Sequence, residues 1–183
     1  MADHYHKKGE AMISIRHSHM KMSDNSYNGD SISTQEILAM PNPLGSMPAN
    51  LSVVPTEMIM KMTMVGGMYA PTNEITIMAM GMFMSKDMDL NTYQPMMNRN
   101  QLGTFSTSSS DMSDISLGVL IKLQESESSR WHGEVTLQKS VGSNDVKGEV
   151  LTPMNMNSSM ILPYGMQPSD RGTKLVVGVT NVT

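Results

Sequence analysis

The sequence contains no cysteine among its 183 residues, and only 4% of them are aromatic. Without cysteine the chain cannot form disulfides, zinc–thiolate sites or thiol nucleophiles, so a soft metal ion would have to be bound by methionine and histidine. No apolar run approaches the roughly eighteen residues that a membrane-spanning helix requires. These absences exclude helical membrane spans and thiolate chemistry.

Basic side chains are also scarce, with 13 lysine and arginine residues against 17 aspartate and glutamate residues. The net charge of −4 leaves no basic surface that could displace counterions from phosphates, so we expect no nucleic acid partner. The Gly-x-Ser-x-Gly, phosphate-loop and His-Glu-x-x-His motifs are absent as well. We therefore expect a protein that is not an enzyme.

Methionine, in contrast, is abundant, with 23 residues. In two adjacent segments it occupies alternate positions: Met58, Met60, Met62, Met64, Met78, Met80, Met82 and Met84. Alternation with period two is typical of a β-strand, and the Ala-Pro-Thr-Asn connection at residues 70–73 predicts a hairpin between the two segments. The pattern therefore predicts that these thioethers share one surface.

The same period predicts six strands along the chain. They cover residues 10–22, 57–69, 74–86, 113–123, 130–141 and 173–182, separated by long loops at 23–56, 87–112 and 143–171, and residues 1–9 form a flexible N-terminus. We predict a single all-β domain over residues 1–183. Its architecture is an antiparallel meander of about six strands, forming a β-barrel or partial barrel with long loops on one side.

The side of these strands opposite the methionines indicates whether the sheet contacts lipid or water. Residues 75–83 and 115–123 carry alternate apolar side chains over the length of about nine residues that a membrane strand needs. The corresponding positions Lys61, His17 and His19 would instead be costly in lipid. The pattern leaves two alternatives open, a membrane barrel and a water-exposed β assembly.

Four stretches carry a resemblance to a known group of proteins. They are His4-Tyr5-His6-Lys7-Lys8-Gly9-Glu10, residues 68–80 (MYAPTNEITIMAM), residues 103–110 (GTFSTSSS) and residues 162–167 (LPYGMQ). In this order they resemble the N-terminal half of a Gram-negative outer-membrane group, whose members are described as transporters near the MetA-pathway of phenol degradation family. The resemblance implies an outer-membrane β-barrel for small solutes, with metals among those attributed to it.

Two interpretations of the methionines follow. Thioethers are soft ligands that select Cu(I), or Ag(I) by analogy, whereas methionine also fills irregular cores. The favoured function is passive transport or binding of a small solute, with copper as the specific case. The alternative is a structural β protein that assembles through open strand edges into a tube or filament, with methionine as packing only. Either function predicts a homo-oligomer joined at its open strand edges.

Polar side chains supply secondary candidates. His4 and His6 form an N-terminal pair that either holds Cu(II) or zinc or is simply solvated. Arg16 falls on the methionine side of the first strand, either in a structural ion pair or as a charge that selects the solute. His132 and Glu134 fall on the polar side of their strand and would line a lumen. The expected location is a bacterial outer membrane in contact with lipid, with an extracellular or soluble location as the alternative.

Overall fold

The computed structural model describes residues 6–43, 45, 47–96, 98–126 and 128–182, and within them the protein is built almost entirely of strands. The elements are β1 (Ala11–Ser23), β2 (Asn25–Tyr27), β3 (Asp30–Ile32), α1 (Thr34–Ala39), β4 (Val53–Tyr69), β5 (Ile75–Tyr93), β6 (Gln101–Glu125), β7 (Arg130–Ser140), β8 (Lys147–Leu151), β9 (Asn157–Ile161), a 3-10 turn (Tyr164–Met166) and β10 (Thr173–Val182). None of the helical segments described is long and apolar enough to cross a membrane.

Six strands form one antiparallel sheet in the order β1-β4-β5-β6-β7-β10. The predicted all-β class and six-strand antiparallel meander are confirmed. The remaining strands pair as two small hairpins, β2–β3 and β8–β9. In the part of the chain that the structure describes, β1 and β10 do not pair with each other, so the sheet is open and both of these strands have a free edge.

The long connections all leave the same end of the sheet. The long segments that join β1 to β4 and β7 to β10 lie at this end, which we call the loop end, together with the short connection from β5 to β6. The opposite end, the turn end, carries the short connections after β4 and after β6. The predicted placement of the long loops on one side of the sheet is thus confirmed.

The predicted loop over residues 87–112 is wrong. Residues 87–93 belong to β5 and residues 101–112 belong to β6, and only residues 94–100 connect them. Serine, aspartate and asparagine in this region suggest a loop, but they occupy one side of the strands while residues such as Leu90 and Thr92 are buried on the other. The sheet therefore extends much further toward the loop end than the apolar alternation indicates.

The turn end is held together by hydrogen bonds between the first described residues and the hairpin that follows β4. Ala70 exchanges backbone hydrogen bonds of 2.7 and 3.0 Å with Gly9 and Glu10. The Thr72 hydroxyl accepts from the backbone N–H of Ile75 at 3.1 Å, which is the local side-chain bond that favours a turn over strand continuation. Residue 10 is thus placed in register with β4 before β1 begins.

A small core forms at the loop end, where α1 packs on β4. Ser33 and Glu36 form a capping box that satisfies the first free amides of this helix. Ile37 and Leu38 then contact Val54, and all three are buried. Further buried apolar residues lie near the turn end, where Met68, Ala70 and Leu120 are each at most 3% exposed.

Candidate functional site: the methionine face

One face of the central sheet carries methionine over three adjacent strands. Residues that stand opposite one another in an antiparallel register point to the same side, and every second residue along a strand does so too. We call this side the methionine face. Its methionines are Met12, Met20 and Met22 on β1, Met58, Met60, Met62, Met64 and Met68 on β4, and Met78, Met80, Met82, Met84 and Met88 on β5.

The methionines selected from the sequence pattern all lie on this face. Met62 stands directly opposite Met84, and Met64 stands opposite Met82. Directly opposite residues have Cβ atoms ~4.5–5.5 Å apart, so the thioethers of neighbouring strands are within contact distance. Each of these side chains is half-buried. They therefore pack against one another and still present sulfur at the surface of the face.

The chemistry of the same face changes at β6. The positions opposite the β5 methionines are occupied by Asp111, Asp114, Ser116 and Gly118. The next strands continue the polar side chains with His132, Glu134, Thr136, Gln138 and Ser140 on β7 and Lys174 and Thr180 on β10. The methionine face thus has a thioether half on β1, β4 and β5 and a polar half on β6, β7 and β10.

Two carboxylates stand at the boundary between the two halves. Asp114 is buried and accepts hydrogen bonds from the hydroxyls of Ser140 at 2.6 Å and Ser113 at 2.8 Å. Asp111 accepts from the hydroxyl and the amide of Ser143, at 2.8 and 2.9 Å. The hydrogen bonds from Ser143 lower the pKa of Asp111. Both carboxylates therefore have the partners that a charged group needs away from bulk water.

A segment of the long connection between β7 and β10 folds back over the methionine face. We call residues 162–169 the strap. The Lys86 ammonium donates to the carbonyls of Gly165 and Gln167, each at 2.8 Å, and the Ser109 hydroxyl donates to the carbonyl of Met166. Burial beneath the strap lowers the pKa of Lys86. The strap covers the face at the row of Lys86 and Ser109. Nearer the turn end, Met68, Thr76 and Leu120 on the same face are also buried.

Gly118 allows close packing where the two halves meet. A Cβ atom at this position would lie 2.7 Å from Met78 Cε and would also overlap the Thr136 side chain. Met78 therefore extends over β6 only because residue 118 has no side chain. This contact links the thioether half to the polar half near the turn end.

The secondary polar candidates differ in how far they are exposed to solvent. Arg16 lies on the methionine face but is exposed, and no carboxylate of the described chain lies within 4 Å of it, so the structure does not contain the predicted ion pair there. His132 is buried on the polar half. Glu134 is half-buried, and its carboxylate accepts from the Thr136 hydroxyl at 2.8 Å.

The histidines that the structure describes do not assemble into one site. His6 lies 3.6 Å from the Glu10 carboxylate, and His4 lies outside the described residues. His17 and His19 project from the side opposite the methionines, where His17 is 3.0 Å from the Thr63 hydroxyl. Over the described ranges, no three or more His, Asp or Glu side chains group in a way that could hold a metal ion.

The side of the sheet opposite the methionine face is aliphatic and exposed toward the turn end. We call it the aliphatic face. It comprises Ile13 and Ile15 on β1, Val65 and Tyr69 on β4, Ile75, Ile77 and Phe83 on β5, Ile115, Leu117 and Ile121 on β6, Val135 and Leu137 on β7, and Leu175, Val177 and Val179 on β10. The exposed fraction reaches 81% at Ile13 and 61% at Leu117.

Toward the loop end, this same side of the sheet becomes hydrophilic. On β5 the change follows Phe83, where Ser85, Asp87 and Asp89 replace the aliphatic side chains. Polar cross-strand pairs take over, such as the Lys21–Glu57 ion pair at 2.8 Å. The aliphatic stretch of β5, from residue 75 to residue 83, spans about 26 Å at ~3.3 Å per residue step.

Sequence reasoning missed several residues of the methionine face. Met12, Met20 and Met22 share the predicted side of the first strand, and Met68 and Met88 continue the two predicted series, yet none was included in the candidate site. Lys86 was missed because it was placed at the end of a strand, whereas it interrupts the series between Met84 and Met88. The sequence signal that could have identified Lys86 is a single lysine within a series of alternating methionines.

Comparison with known proteins found no family model, no curated protein and no solved structure that matches this chain. The resemblance to outer-membrane transporters therefore stays a prediction.

Proposed function

We propose that the protein is an outer-membrane-type β-sheet protein in which the aliphatic face contacts lipid and the methionine face conducts or binds a small solute. The observation that carries this proposal is the opposite chemistry of the two faces of one sheet. An exposed aliphatic stretch of about 26 Å is close to the apolar band of roughly 25 Å on outer-membrane barrels, and in water it would be a large unfavourable patch.

The orientation of the connections supports the same proposal. Long loops at one end and short turns at the other are typical of outer-membrane barrels. The hydrophilic part of the sheet lies at the loop end, so it would project beyond the lipid into water together with the long loops. The free edges of β1 and β10 would be satisfied by further strands, which we assign to other copies of this chain.

Within this assembly, the favoured solute is a soft monovalent ion such as Cu(I). Thioethers bind Cu(I) in preference to hard divalent ions, and the half-buried methionines of β4 and β5 supply a continuous series of weak ligands. Weak and repeated contacts suit passage better than storage, because an ion must leave each site as readily as it enters.

A metal titration tests this part of the proposal. Cu(I) is titrated under reducing conditions into the wild type and into a variant in which Met58, Met60, Met62, Met64, Met78, Met80, Met82 and Met84 are replaced by leucine. A control variant replaces Met47, Met96, Met154, Met156 and Met160, which are exposed outside this series, by leucine. We expect the first variant alone to lose uptake. Equal uptake by all three proteins would remove the metal assignment.

A second function rests on the free strand edges alone. Chains that pair β1 with β10 of the next copy would build a tube or filament, with methionine serving as packing. This function requires no lipid. Sedimentation of the purified protein with and without detergent separates the two functions, because monodisperse particles in water would contradict the lipid proposal, whereas detergent dependence would support it.

A further inference from the structure

Lys86 is the one position where the methionine series of β5 is interrupted by a charge. It stands opposite Met60 on β4 and Ser109 on β6, and only 8% of it is exposed. A lysine that gives up its hydration on a face of thioethers is costly unless its donors find acceptors. Here the acceptors are two backbone carbonyls of the strap, at Gly165 and Gln167.

The strap is fixed at several further points. Its Met166 side chain is fully buried, and the Met166 carbonyl accepts from the Ser109 hydroxyl. The Gln167 side chain donates to the Leu162 carbonyl at 2.8 Å and accepts from the Val146 amide at 2.9 Å. The Gln167 bonds tie the strap to Val146 in the same connection, and Lys86 and Ser109 supply hydrogen bonds that join the strap directly to the six-stranded sheet.

We propose that Lys86 is a positioning residue that holds the strap across the methionine face and thereby sets the size of solute that can pass along it. This inference rests on the proposed function of the face. The strap carbonyls lie over Lys86 on β5 and Ser109 on β6, so a solute moving along these strands between the loop end and the turn end would pass the strap. A methionine at position 86 would extend the thioether series but could not donate to the carbonyls.

Oxidation of Met166 measures the attachment directly. Hydrogen peroxide converts accessible methionines to sulfoxides, and mass spectrometry of peptides gives the rate for each residue. We expect Met166 to be protected in the wild type and in Lys86→Arg, which keeps the donors, and to oxidise at least about fivefold faster in Lys86→Met. Lys61→Met is the matched control, because it removes an exposed lysine from the other side of the neighbouring strand. Unchanged protection of Met166 in Lys86→Met would overturn the inference.

Permeation of lipid vesicles tests whether the strap limits the size of the solute that passes. Vesicles containing each protein are challenged with polyethylene glycols of increasing size. We expect Lys86→Met to admit larger polymers than the wild type, and Lys86→Arg to restore the wild-type limit. Equal limits for the wild type and Lys86→Met would overturn this inference while leaving the proposed function in place. Wild-type vesicles closed to the smallest polymer would overturn this inference and the conducting form of the proposed function, whereas the Cu(I) titration tests binding separately.

A second variant tests the attachment of the strap independently, in case Lys86→Met does not fold. Ser109→Ala removes the hydroxyl that donates to the Met166 carbonyl without changing charge or packing volume appreciably. We expect an intermediate increase in both the Met166 oxidation rate and the polymer size limit. A Ser109→Ala protein with wild-type values in both measurements would overturn the role of the strap attachment.

Discussion

Met82 on β5 and Asp114 on β6 stand directly opposite each other on the methionine face. A soft neutral ligand and a carboxylate are therefore side by side at the line where the thioether half meets the polar half. A cation on the thioethers would experience the negative charge of Asp114 at close range in a poorly hydrated setting. The exposed Arg16 lies in the same row of the sheet, two strands away from Met82.

This relationship predicts that Asp114 contributes to cation affinity without being a ligand. Asp114→Asn preserves the shape of the side chain and removes its charge. We expect Ag(I), used as a stable substitute for Cu(I), to bind about threefold to tenfold more weakly, which corresponds to ~1 kcal/mol of screened attraction. Isothermal titration calorimetry gives the affinity.

Asp30→Asn is the control for Asp114, since it removes an equal charge from an exposed position on β3. Its affinity for Ag(I) should match the wild type. If both variants weakened binding equally, net charge rather than the position of Asp114 would account for the effect.

The close packing around Gly118 leads to a second prediction, which concerns the stability of the protein. Gly118→Ala places a Cβ atom 2.7 Å from Met78 Cε and against Thr136, so both side chains must move. We expect the free energy of unfolding to fall by about 1–3 kcal/mol, the usual cost of overpacking. Urea unfolding followed by circular dichroism measures it.

Gly81→Ala is the matched control for Gly118, because no atom lies within 4 Å of a Cβ atom at that position. Alanine should be tolerated there, or even stabilise the strand, since glycine loses more backbone entropy on folding. Equal destabilisation by both variants would show that the contact with Met78 and Thr136 is not the cause.

The lowered pKa values of two carboxylates, Asp111 and Asp170, predict how the stability of the protein depends on pH. Hydrogen bonds from Ser143 lower the pKa of Asp111, and the Gly172 amide lowers the pKa of Asp170. A carboxylate whose pKa is lower in the folded state stabilises the protein above the pKa of the unfolded chain, near 3.8, and this stabilisation is lost as the pH falls through the folded pKa. We therefore expect the unfolding midpoint to be constant near neutral pH and to fall below about pH 4.

Asp111→Asn tests the assignment of that acid transition. At neutral pH the variant should be less stable by about 1 kcal/mol, because its amide is a weaker acceptor for Ser143 than the carboxylate. Below about pH 3 the difference should shrink, since the wild-type carboxylate is then increasingly protonated. A difference that stays constant across the whole pH range would contradict the assignment.

The strand pattern of this protein could be predicted from the sequence because alternation was clear where one side of a strand is aliphatic. Met78 to Met84 alternate with Ile77, Ala79 and Phe83, and the structure places them on opposite faces as expected. The prediction failed at residues 87–112, where Asp87 and Asp89 alternate with Met88 and Leu90 on β5 only briefly, and Ser and Thr occupy both sides of β6 over residues 104–110. There, backbone hydrogen bonds to neighbouring strands form the sheet, and the alternation of apolar and polar residues is too short to predict the strands.

The site could be predicted only in part for a related reason. Alternation predicts which residues share a face, and this placed the methionines correctly relative to one another. It does not predict that a distant segment will fold onto that face, as the strap does through Lys86 and Ser109. Those contacts join residues far apart in sequence, so no local pattern encodes them.

The aliphatic face makes the final prediction, which tests contact with lipid. Leu117 lies in the middle of the aliphatic face, between Ala79 and Leu137, and is 61% exposed. A lysine near the bilayer midplane costs about 2–4 kcal/mol, whereas the same lysine on a surface in water costs almost nothing. We therefore expect Leu117→Lys to insert poorly into phosphatidylcholine vesicles, as judged by heat-modifiable migration and protease protection.

Ser108→Lys gives the comparison within the same strand. Ser108 lies on the same side of β6 but in its hydrophilic part, opposite Asp87, so a lysine there would gain a carboxylate neighbour outside the lipid. Insertion of this variant should equal that of the wild type. If Leu117→Lys inserted as well as Ser108→Lys, the aliphatic face would not lie in the hydrocarbon layer, and the edge-paired assembly in water would become the better account of the sheet.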